Sequence, residues 1–471
     1  MNDPKSLQLL ESRFLRLRLA ARAEPNPPLE ARLRRLRALD RLLRQNAEAL
    51  ADAVSRDFGH RSPAETRLLE LFPSYEAIAD ALDHLRSWMR PQRRRVSLWF
   101  QPGNAEVRYQ PLGAVGIIVP WNYPIYLAVG PLVAALAAGN RALVKMSEFT
   151  PATASLFAEL IAANFAEDEV SVVQGDASVA HSFSQLPFDH LLFTGSTPVG
   201  HHVMRAAAEN LTPVTLELGG KSPAIIGAKA NFEKAVERIV VGKSLNAGQT
   251  CIAPDYVLLP AGSEQAFIDT ARHVFATCYP DFATTPDYTA IVNERHFARL
   301  IALADEARAE GAEIVELAPG AVPNPTTRRF PPLLLCGVDA GMRVMQEEIF
   351  GPLLPLVPYG DLAQAIDYVN ARPRPLALYY FDTDASAIAT ALDQTVSGGV
   401  TINDTLLHIA QDDLPFGGVG ASGMGCYHGV EGFRTFSAKK GVFRQSWLSG
   451  IGLFKPPYGA RFERLIRLLL R

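Results

Sequence analysis

The stretch AVGIIVP, residues 114–120, decides the fold because it is an unbroken apolar run of strand length that ends at a proline. Such runs are typical of strands that are buried on both faces of a parallel sheet. Similar runs follow it, each separated from the next by a helix-like segment: ALVKM (142–146), SVVQG (171–175) and HLLFTG (190–195). Strands that alternate with helices at this spacing predict βαβ units, and therefore an α/β fold with a parallel sheet.

A second series of apolar runs begins after Ser222 and continues to about residue 404. Its predicted strands are PAIIGA (223–228), YVLLP (256–260), GAEIVEL (311–317), LLLCGV (333–338), LPLVPYG (354–360), ALYYFD (377–382) and VTIND (400–404). Helix-like segments lie between them, as at 232–243 and 263–275. Two α/β units are therefore expected to share the chain.

The region before the first series predicts helices and a β-hairpin. Leucines at helical spacing indicate one helix over 29–56, and a second helical stretch covers 64–89. The hairpin is predicted from VSLWF (96–100) and EVRYQP (106–111), which flank a Pro-Gly-Asn turn.

Composition excludes several classes of protein. The chain has 471 residues and balances 46 Lys and Arg against 49 Asp and Glu, for a net charge of −3. Nucleic-acid binding is not expected, because phosphate contacts require a basic excess. The four cysteines are far apart and form no C-x-x-C pair, so neither a disulfide framework nor a thiolate metal site is expected. With no secretory signal and no apolar run of transmembrane length, we expect a protein of the reducing cytoplasm.

Three side chains are candidates for chemistry. Cys251 lies in NAGQTCIAPDY (246–256), among polar neighbours that suit a nucleophile better than a buried structural thiol. Glu217 follows a strand-like segment and precedes a Gly-Gly pair; it is a possible base for water, or a surface carboxylate. Asn122, between two prolines, suits an oxyanion site, or a turn that needs the backbone tolerance of asparagine.

Two further segments suit a nucleotide, although neither is specific alone. FTGSTPVG (193–200) turns from a strand into a helix, whose N-terminal amides attract phosphate, but it lacks the central glycine of the dinucleotide fingerprint. KMSEF (145–149) places Lys145 and Glu148 at another strand end, where they could bind ribose hydroxyls or form an ordinary capping pair.

Taken together, these motifs resemble the aldehyde dehydrogenase superfamily from about residue 31 to about residue 445. Six motifs occur in the order of that family: PWNYP (120–124), FTGSTPVG (193–200), ELGGKSP (217–223), GQTC (248–251), EEIFGP (347–352) and PFGG (415–418). The chain is most similar to the shorter, class 3-like branch, and within it to coniferyl aldehyde dehydrogenases. NAGQTCIAPDYVL, NDTLLHIAQDDLPFGGVG and SGMGCYHGVEGF carry this likeness.

The resemblance implies roles for individual residues. Cys251 matches the nucleophile, Asn122 the oxyanion-binding amide and Glu217 the general base. The cofactor contacts implied are Lys145 and Glu148 at the adenosine ribose, Gly195 and Ser196 at the pyrophosphate, and Glu348 and Phe350 at the nicotinamide half. Met146 departs from the proline that is usual at its position in the family.

The implied reaction is the NAD(P)-dependent oxidation of an aldehyde to a carboxylic acid through a thiohemiacetal and a thioester on Cys251. Water activated by Glu217 then releases the acid, and no metal is implied. Glu148 favours NAD, because a carboxylate near the ribose 2′-hydroxyl repels a 2′-phosphate, although NADP stays possible. An aromatic substrate such as coniferyl aldehyde is implied by the branch, and a medium- or long-chain aliphatic aldehyde is the alternative.

The resemblance also implies a domain organisation. The expected fold class combines a Rossmann-like NAD(P)-binding domain, an α/β catalytic domain and a small β oligomerisation arm. Their expected bounds are 1–90 and 112–217 for cofactor binding, 218–410 for catalysis, 91–111 and 430–447 for the arm, and 448–471 for a C-terminal tail helix. The arm suggests a homodimer.

The tail combines apolar residues at helical spacing with four arginines between residues 460 and 471. It is too short to span a membrane. We expect a helix packed on its own chain near the substrate entrance, and the alternative is a helix on a membrane surface.

Two rival functions remain. In a CoA-acylating aldehyde dehydrogenase, a thiol instead of water would cleave the thioester, and the presence of Glu217 argues for water. A non-catalytic scaffold or binding protein would bind the cofactor without a reactive thiol.

Overall fold

A computed structural model of the chain describes residues 4–470, so residues 1–3 and Arg471 of the predicted first and last segments lie outside the described residues. The α-helices are α1 Pro4–Ala23, α2 Leu29–Gln45, α3 Ala47–Phe58, α4 Pro63–Thr66, α5 Phe72–Trp88, α6 Tyr126–Ala138, α7 Pro151–Asn164, α8 Ala177–Ser184, α9 Thr197–Ala208, α10 Phe232–Ser244, α11 Glu264–Cys278, α12 Glu294–Ala309, α13 Arg343–Gln346, α14 Leu362–Asn370, α15 Ala385–Gln394, α16 Gly429–Thr435 and α17 Ala460–Leu469. The strands are β1 Gln92–Arg94, β2 Asn104–Pro111, β3 Ala114–Ile118, β4 Arg141–Lys145, β5 Val170–Val173, β6 His190–Thr194, β7 Val214–Glu217, β8 Pro223–Ile226, β9 Tyr256–Pro260, β10 Glu313–Glu316, β11 Leu333–Cys336, β12 Leu353–Tyr359, β13 Ala377–Phe381, β14 Gly399–Ile402, β15 Gly423–Met424 and β16 Ser437–Arg444.

The four predicted strands of the first series become β3, β4, β5 and β6 of a six-stranded sheet in the order β15-β7-β6-β3-β4-β5. Strand β7 and the short strand β15, which was not predicted, complete it. All of these strands run parallel except β15, which pairs antiparallel with β7. Every residue of β3, the AVGII segment, is buried, because helices cover both faces of the sheet. The parallel α/β prediction is therefore confirmed, and it brings the carboxyl ends of β3, β4, β6 and β7 to one edge.

The second series forms a seven-stranded sheet in the order β10-β11-β12-β9-β8-β13-β14. Its strands are parallel apart from β10, which pairs antiparallel with β11. Strands β8, β11 and β13 are almost wholly buried, as expected for apolar runs within a layered α/β unit.

A separate three-stranded antiparallel sheet, in the order β1-β2-β16, joins distant parts of the chain. Strand β16 pairs with β2 from Ser437 opposite Pro111 to Arg444 opposite Asn104. The predicted hairpin was wrong in one strand. The partner of β2 is Gln92–Arg94, whereas Leu98–Phe100 forms a 3-10 turn. β-Propensity misled here, because the apolar side chains of the turn are exposed rather than packed in a sheet.

Both predicted N-terminal helices are interrupted. The first divides at Asn46, whose side-chain nitrogen donates 2.8 Å to the carbonyl oxygen of Leu42 at the end of α2. The second contains a π-helical turn, Arg67–Leu71, between α4 and α5. A π turn inserts an extra residue into a helix and redirects the side chains on it. Here it turns Glu70 inward.

The tail forms the predicted helix but does not pack as expected. None of the residues of α17 is buried in this single chain, and Leu468 is 60% exposed. The ring of Phe462 contacts Phe454 and Tyr458 of the same tail. The expectation that the helix packs on the body of its own chain is therefore not met. Among the described residues, no helix is both long enough and apolar enough to cross a membrane.

Candidate active site

The motif residues converge where the two large sheets meet. Strand β3 leads directly into the PWNYP segment, and β7 ends at Glu217. A 3-10 turn at Leu245–Gly248 follows α10 and leads to Cys251. Because β3 and β7 are parallel members of one sheet, their carboxyl ends deliver Asn122 and Glu217 to the same edge. This placement agrees with the rule that open α/β sheets bind ligands at the carboxyl ends of their strands.

Asn122 is buried and held from several directions. Its side-chain nitrogen donates to the carbonyl oxygen of Gln249 at 3.2 Å. Its own carbonyl oxygen accepts hydrogen bonds from Nη1 of Arg61 at 3.0 Å and from Nδ2 of Asn246 at 3.1 Å. An amide with one N–H occupied by Gln249 keeps its other N–H for a substrate oxygen.

The bend before Cys251 has an uncommon backbone. Asn246 and Ala247 both have φ of 51°, and Gly248 has φ of 73°. A β-carbon at Gly248 would lie 2.5 Å from the carbonyl oxygen of Gly351, so no larger residue fits there. Left-handed backbone at non-glycine residues costs of order 1–3 kcal/mol and persists where the surroundings enforce it.

The side chain of Gln249 helps to stabilise this left-handed backbone. Its Nε2 donates to the carbonyl oxygens of Asn246 at 3.0 Å and Ala290 at 3.1 Å, and its Oε1 accepts from the Val292 amide at 3.0 Å. This buried residue is therefore a structural anchor for the cysteine loop, and its polarity does not in itself mark a reactive site.

Cys251 is partly exposed in the cleft. Burial, followed by the charges of Glu348 and Glu217, raises the pKa of its thiol to about 12. The thiol is therefore protonated at neutral pH in the free protein. A nucleophilic role requires a proton acceptor or a nearby positive charge when the substrates bind.

Glu217 is buried at the end of β7, and neither carboxylate oxygen has a hydrogen-bond partner. Burial raises the pKa of this carboxyl well above its usual value. A buried polar group without partners requires an explanation, and a catalytic role is one of the recognised reasons. The structure thus excludes the surface-carboxylate interpretation of Glu217.

Lys145 and Glu148 lie at the end of β4 and pair with each other. The Nζ of Lys145 donates to Oε2 of Glu148 at 2.9 Å. Lys145 is buried, whereas one third of the Glu148 side chain is exposed. The amide of Met146 donates to the carbonyl oxygen of Val173 at 3.1 Å, a bond that proline cannot make. Methionine at this position therefore allows one additional backbone hydrogen bond between the ends of β4 and β5.

Gly195 and Ser196 precede α9 as predicted. The amide of Gly195 donates to the carbonyl oxygen of Glu217 at 3.0 Å. Ser196 occupies the N-cap of α9 and is exposed, but its side chain makes no capping hydrogen bond. Amides in the first turn of a helix that lack a cap are suitable donors for phosphate oxygens, so this end of the sheet fits a dinucleotide.

Glu348 reaches the segment that follows β7, where its carboxylate lies close to Gly219. Burial, followed by the charge of Asp255, raises the pKa of Glu348 to about 8. Its Oε1 has no hydrogen-bond partner and is available to a ribose hydroxyl. A β-carbon at Gly219 would lie 2.0 Å from this carboxylate, so glycine is required for the close approach.

Three aromatic residues, Trp121, Tyr123 and Tyr126, follow β3, and of these three only Trp121 is partly exposed. Trp121 is partly exposed and packs against Phe350, with ring centres 5.3 Å apart, and against His296 at 5.0 Å. The hydroxyl of Tyr123 bonds Oγ1 of Thr250 at 2.7 Å, and the hydroxyl of Tyr126 lies 3.3 Å from Nε2 of His428. The two tyrosines are thus buried core residues with satisfied hydroxyls.

The sequence did not predict three buried charged residues beneath the site: Arg61, Glu65 and Glu70. They come from the segment between α3 and α5, and their side chains contact the loops that carry Asn122 and Cys251. Glu65 and Glu70 fall within the predicted helical stretch 64–89 and Arg61 precedes it, but none of the three belongs to a motif that would have marked it. No group of three or more potential metal ligands occurs among the residues that the structure describes.

Comparison with known proteins agrees with this geometry. Residues 18–442 match the model of the aldehyde dehydrogenase family. The chain is 54% identical over 462 residues to a probable coniferyl aldehyde dehydrogenase of Pseudomonas aeruginosa, covering 98% of this chain and 96% of that protein. It is 47% identical over 470 residues to a coniferyl aldehyde dehydrogenase of a Pseudomonas species, covering 99% of this chain and 97% of that protein.

Solved structures give the same result. The substrate-bound state of AldH from Staphylococcus aureus superposes with a TM-score of 0.92 at 36% identity, covering 98% of this chain and 99% of that chain. An aldehyde dehydrogenase of Mycobacterium tuberculosis, solved in complex with NAD+, superposes with a TM-score of 0.83 at 29% identity, covering 93% and 90%. The resemblance, the fold class and the NAD(P) dependence inferred from the sequence are confirmed: this chain belongs to the aldehyde dehydrogenase family, a family of NAD(P)-dependent oxidoreductases acting on aldehydes.

Proposed function

We propose that the chain oxidises an aromatic aldehyde of the coniferyl type to its carboxylic acid through a covalent adduct on Cys251. The observation that carries this proposal is the convergence of a partly exposed thiol, a buried carboxylate without partners and a firmly held amide at one cleft. The relatives named coniferyl aldehyde dehydrogenases, at 54% and 47% identity over nearly the whole chain, support the substrate class.

In the first step, the thiol of Cys251 gives its proton to solvent water as the substrates bind, and the resulting thiolate attacks the carbonyl carbon of the aldehyde. A C–S bond forms, and the electron pair of the carbonyl π bond moves to oxygen. The free N–H of Asn122 and the backbone N–H of Cys251 donate to this oxyanion. Each such donor is worth about 3–4 kcal/mol in related sites, because it is oriented before the charge develops.

Bound NAD(P)+ supplies the acceptor for the hydride that leaves the adduct when the oxyanion collapses to a thioester. Lys145 and Glu148 would hold the adenosine ribose, and Gly195 and Ser196 the pyrophosphate. Glu348 and Phe350 would position the nicotinamide half. The uncapped first turn of α9 and the unpartnered Oε1 of Glu348 support these assignments.

In the last step, Glu217 takes a proton from a water molecule, whose oxygen attacks the thioester carbon. The C–S bond then breaks, so the acid leaves and Cys251 regains its thiolate. Burial raises the pKa of Glu217, which makes its carboxylate a stronger base toward water than an exposed glutamate. Its buried position also opposes the CoA-acylating alternative, since the carboxylate has no evident purpose if a thiol cleaves the thioester.

The same proposal divides the chain into functional domains. Residues 1–90 and 112–217 would bind the cofactor, and residues 218–410 would form the catalytic domain. Residues 91–111 and 430–447 would form the arm. Leu98, Trp99 and Phe100 are between 53% and 80% exposed on the arm, which favours burial against a second copy in a homodimer.

The four free cysteines suit the reducing cytoplasm.

A pre-steady-state experiment with substrates in excess tests the function. The protein is mixed with NAD+ and a panel of cinnamyl-type, benzaldehyde-type and medium-chain aliphatic aldehydes, and reduced cofactor is followed by absorbance. We expect a burst followed by steady turnover, with the highest kcat/KM for a cinnamyl-type aldehyde. Cys251→Ala should abolish the burst, whereas the exposed Cys278→Ala should retain it.

A higher kcat/KM for aliphatic aldehydes would overturn the substrate class but leave the reaction intact. Cofactor binding with no burst from any aldehyde, and with all four thiols equally inert to iodoacetamide, would instead support the non-catalytic scaffold.

A further inference from the structure

A buried cluster of two carboxylates and one guanidinium lies directly behind the two loops of the site. Arg61 and Glu70 are completely buried and Glu65 nearly so. Nη1 of Arg61 lies 3.0 Å from Oε1 of Glu70. Burying three charges is costly unless each one finds partners, so the partners of this cluster indicate what it does.

Glu70 binds the backbone that follows Asn122. Its Oε2 accepts hydrogen bonds from the amide of Ile125 at 2.7 Å and from the amide of Tyr126 at 3.2 Å. These amides open α6 and have no acceptor within that helix. A carboxylate at this position is also favoured by the helix dipole. The π turn Arg67–Leu71 presents Glu70 to α6 from a different helical segment.

Arg61 binds the same loop at its other end. Its Nη1 donates to the carbonyl oxygen of Asn122 at 3.0 Å, and its guanidinium lies 4.8 Å from the ring centre of Tyr123. The chain that follows the Asn122 side chain is therefore attached at two points, the Asn122 carbonyl and the Ile125 and Tyr126 amides, to one ion pair. The direction of the Asn122 amide depends on that attachment.

Glu65 binds the bend on the cysteine side. Both of its oxygens lie 3.2 Å from the amide nitrogen of Asn246, and Oε2 accepts a hydrogen bond from the hydroxyl of Thr289 at 2.6 Å. Asn246 is one of the left-handed residues of that bend. A charge-assisted bond to its amide offsets part of the backbone strain.

We propose that Glu70, paired with Arg61, and Glu65 are positioning residues for the two donors of the oxyanion site: Glu70 holds the loop that carries the Asn122 side chain, and Glu65 holds the bend that leads to the backbone amide of Cys251. This inference rests on the proposed function. None of the three residues touches the cleft, so they act through Asn122 and the cysteine loop and take no part in bond making.

The test is a double-mutant cycle between Glu70 and Asn122. Glu70→Gln keeps an acceptor for the Ile125 amide but removes the charge, whereas Glu70→Ala removes both. We expect the burst rate constant to fall about 10-fold for glutamine and about 100-fold for alanine, since a displacement of about 1 Å costs about that much. The KM for aldehyde and the Kd for NAD+ should change little. Glu65→Gln should lower the burst rate in the same way.

In the Asn122→Ala background, Glu70→Gln should have almost no further effect, because the donor that it positions is absent. The control is Glu76→Gln, an exposed carboxylate on α5, which should keep the wild-type burst. Equal losses from Glu70→Gln in both backgrounds, or an equal loss in the control, would overturn the role of Glu70. An unchanged burst in Glu65→Gln would overturn that of Glu65.

The thermal midpoint separates positioning from misfolding. If Glu70→Ala does not fold, Glu70→Gln decides the test alone. A wild-type protein without any burst would overturn the proposed function itself, whereas a wild-type burst with additive losses overturns only the positioning role.

Discussion

The side-chain nitrogen of Asn122 lies 3.2 Å from the carbonyl oxygen of Gln249, two residues before Cys251, although the two segments are 127 positions apart in the chain. This bond joins the loop after β3 of one sheet to the loop before β9 of the other. The oxyanion donor and the nucleophile are therefore held at a set separation by the fold, before any substrate binds.

Asn122→Ala should lower the burst rate constant by about 100- to 1000-fold, the usual loss when one oxyanion donor is removed. Stopped-flow absorbance of reduced cofactor measures it. Asn164→Ala, at an exposed position near the end of α7, is the control and should behave like the wild type. A full burst rate in Asn122→Ala would show that the backbone amide alone binds the oxyanion.

Glu217→Gln should leave the burst but slow steady turnover, because glutamine cannot accept a proton from water. The pKa of Glu217 is raised by burial, so in the wild type kcat should increase with pH as this carboxyl ionises. The variant should lose that increase. Steady-state rates with a cinnamyl-type aldehyde between pH 6 and 9 measure both, and unchanged turnover would mean that another group deprotonates the water.

Glu148→Ala should raise the ratio of kcat/KM with NADP+ to that with NAD+ by about 10-fold, since charged hydrogen bonds contribute about 1.5–3 kcal/mol. In the wild type, the Nζ of Lys145 donates to the Glu148 carboxylate at 2.9 Å. Removing that carboxylate leaves the Lys145 ammonium free to bind the 2′-phosphate of NADP+. Glu159→Ala on α7 is an exposed control. No change in the ratio would indicate that the adenosine ribose does not bind at Lys145 and Glu148.

Tyr123→Phe should lower the free energy of unfolding by about 1–3 kcal/mol, because it leaves the buried hydroxyl of Thr250 without its 2.7 Å partner. Adding Thr250→Val should recover part of the loss, since no polar group is then left unpaired. Urea unfolding measures both variants. Tyr458→Phe, with its ring 63% exposed in the tail, should be neutral. An equal loss in the double variant would indicate that packing, not the hydroxyl pair, was lost.

Glu348→Gln should reduce the pH dependence of stability in the absence of cofactor. The pKa of Glu348 is raised from 4.5 to about 8, so the folded chain keeps a proton that the unfolded chain releases. Its contribution to stability is thus fully present below about pH 4.5 and is lost as the pH rises to about 8. Thermal unfolding between pH 5 and 9 should show a flatter curve for this variant than for Glu347→Gln, an exposed neighbour. Identical curves would contradict the burial of an ionisable group at this position.

The sequence by itself determined the two parallel sheets and the family. Apolar runs such as AVGIIVP can be satisfied only by burial on both faces, and Cys251, Glu217 and Asn122 follow strands or turns whose local signals are strong. The roles of Asn122 and Glu217 together came from the resemblance to the family, and the structure adds that both follow parallel strands of one sheet, at the edge formed by the carboxyl ends. The sequence misplaced one arm strand, because the short segment Gln92–Arg94 has no β-propensity and pairs only because β2 offers a free edge.

Only the tertiary structure decided how the site is held and how its groups ionise. Arg61, Glu65 and Glu70 belong to no motif, and their importance arises from contacts with segments 55 to 224 positions away. The raised pKa values of Cys251, Glu217 and Glu348 likewise arise from burial, to which the charges of Glu348 and Glu217 add for Cys251 and the charge of Asp255 adds for Glu348. The physical reason is that hydrogen bonds act over about 3 Å and desolvation depends on the surrounding atoms, and neither quantity exists until the distant segments have packed.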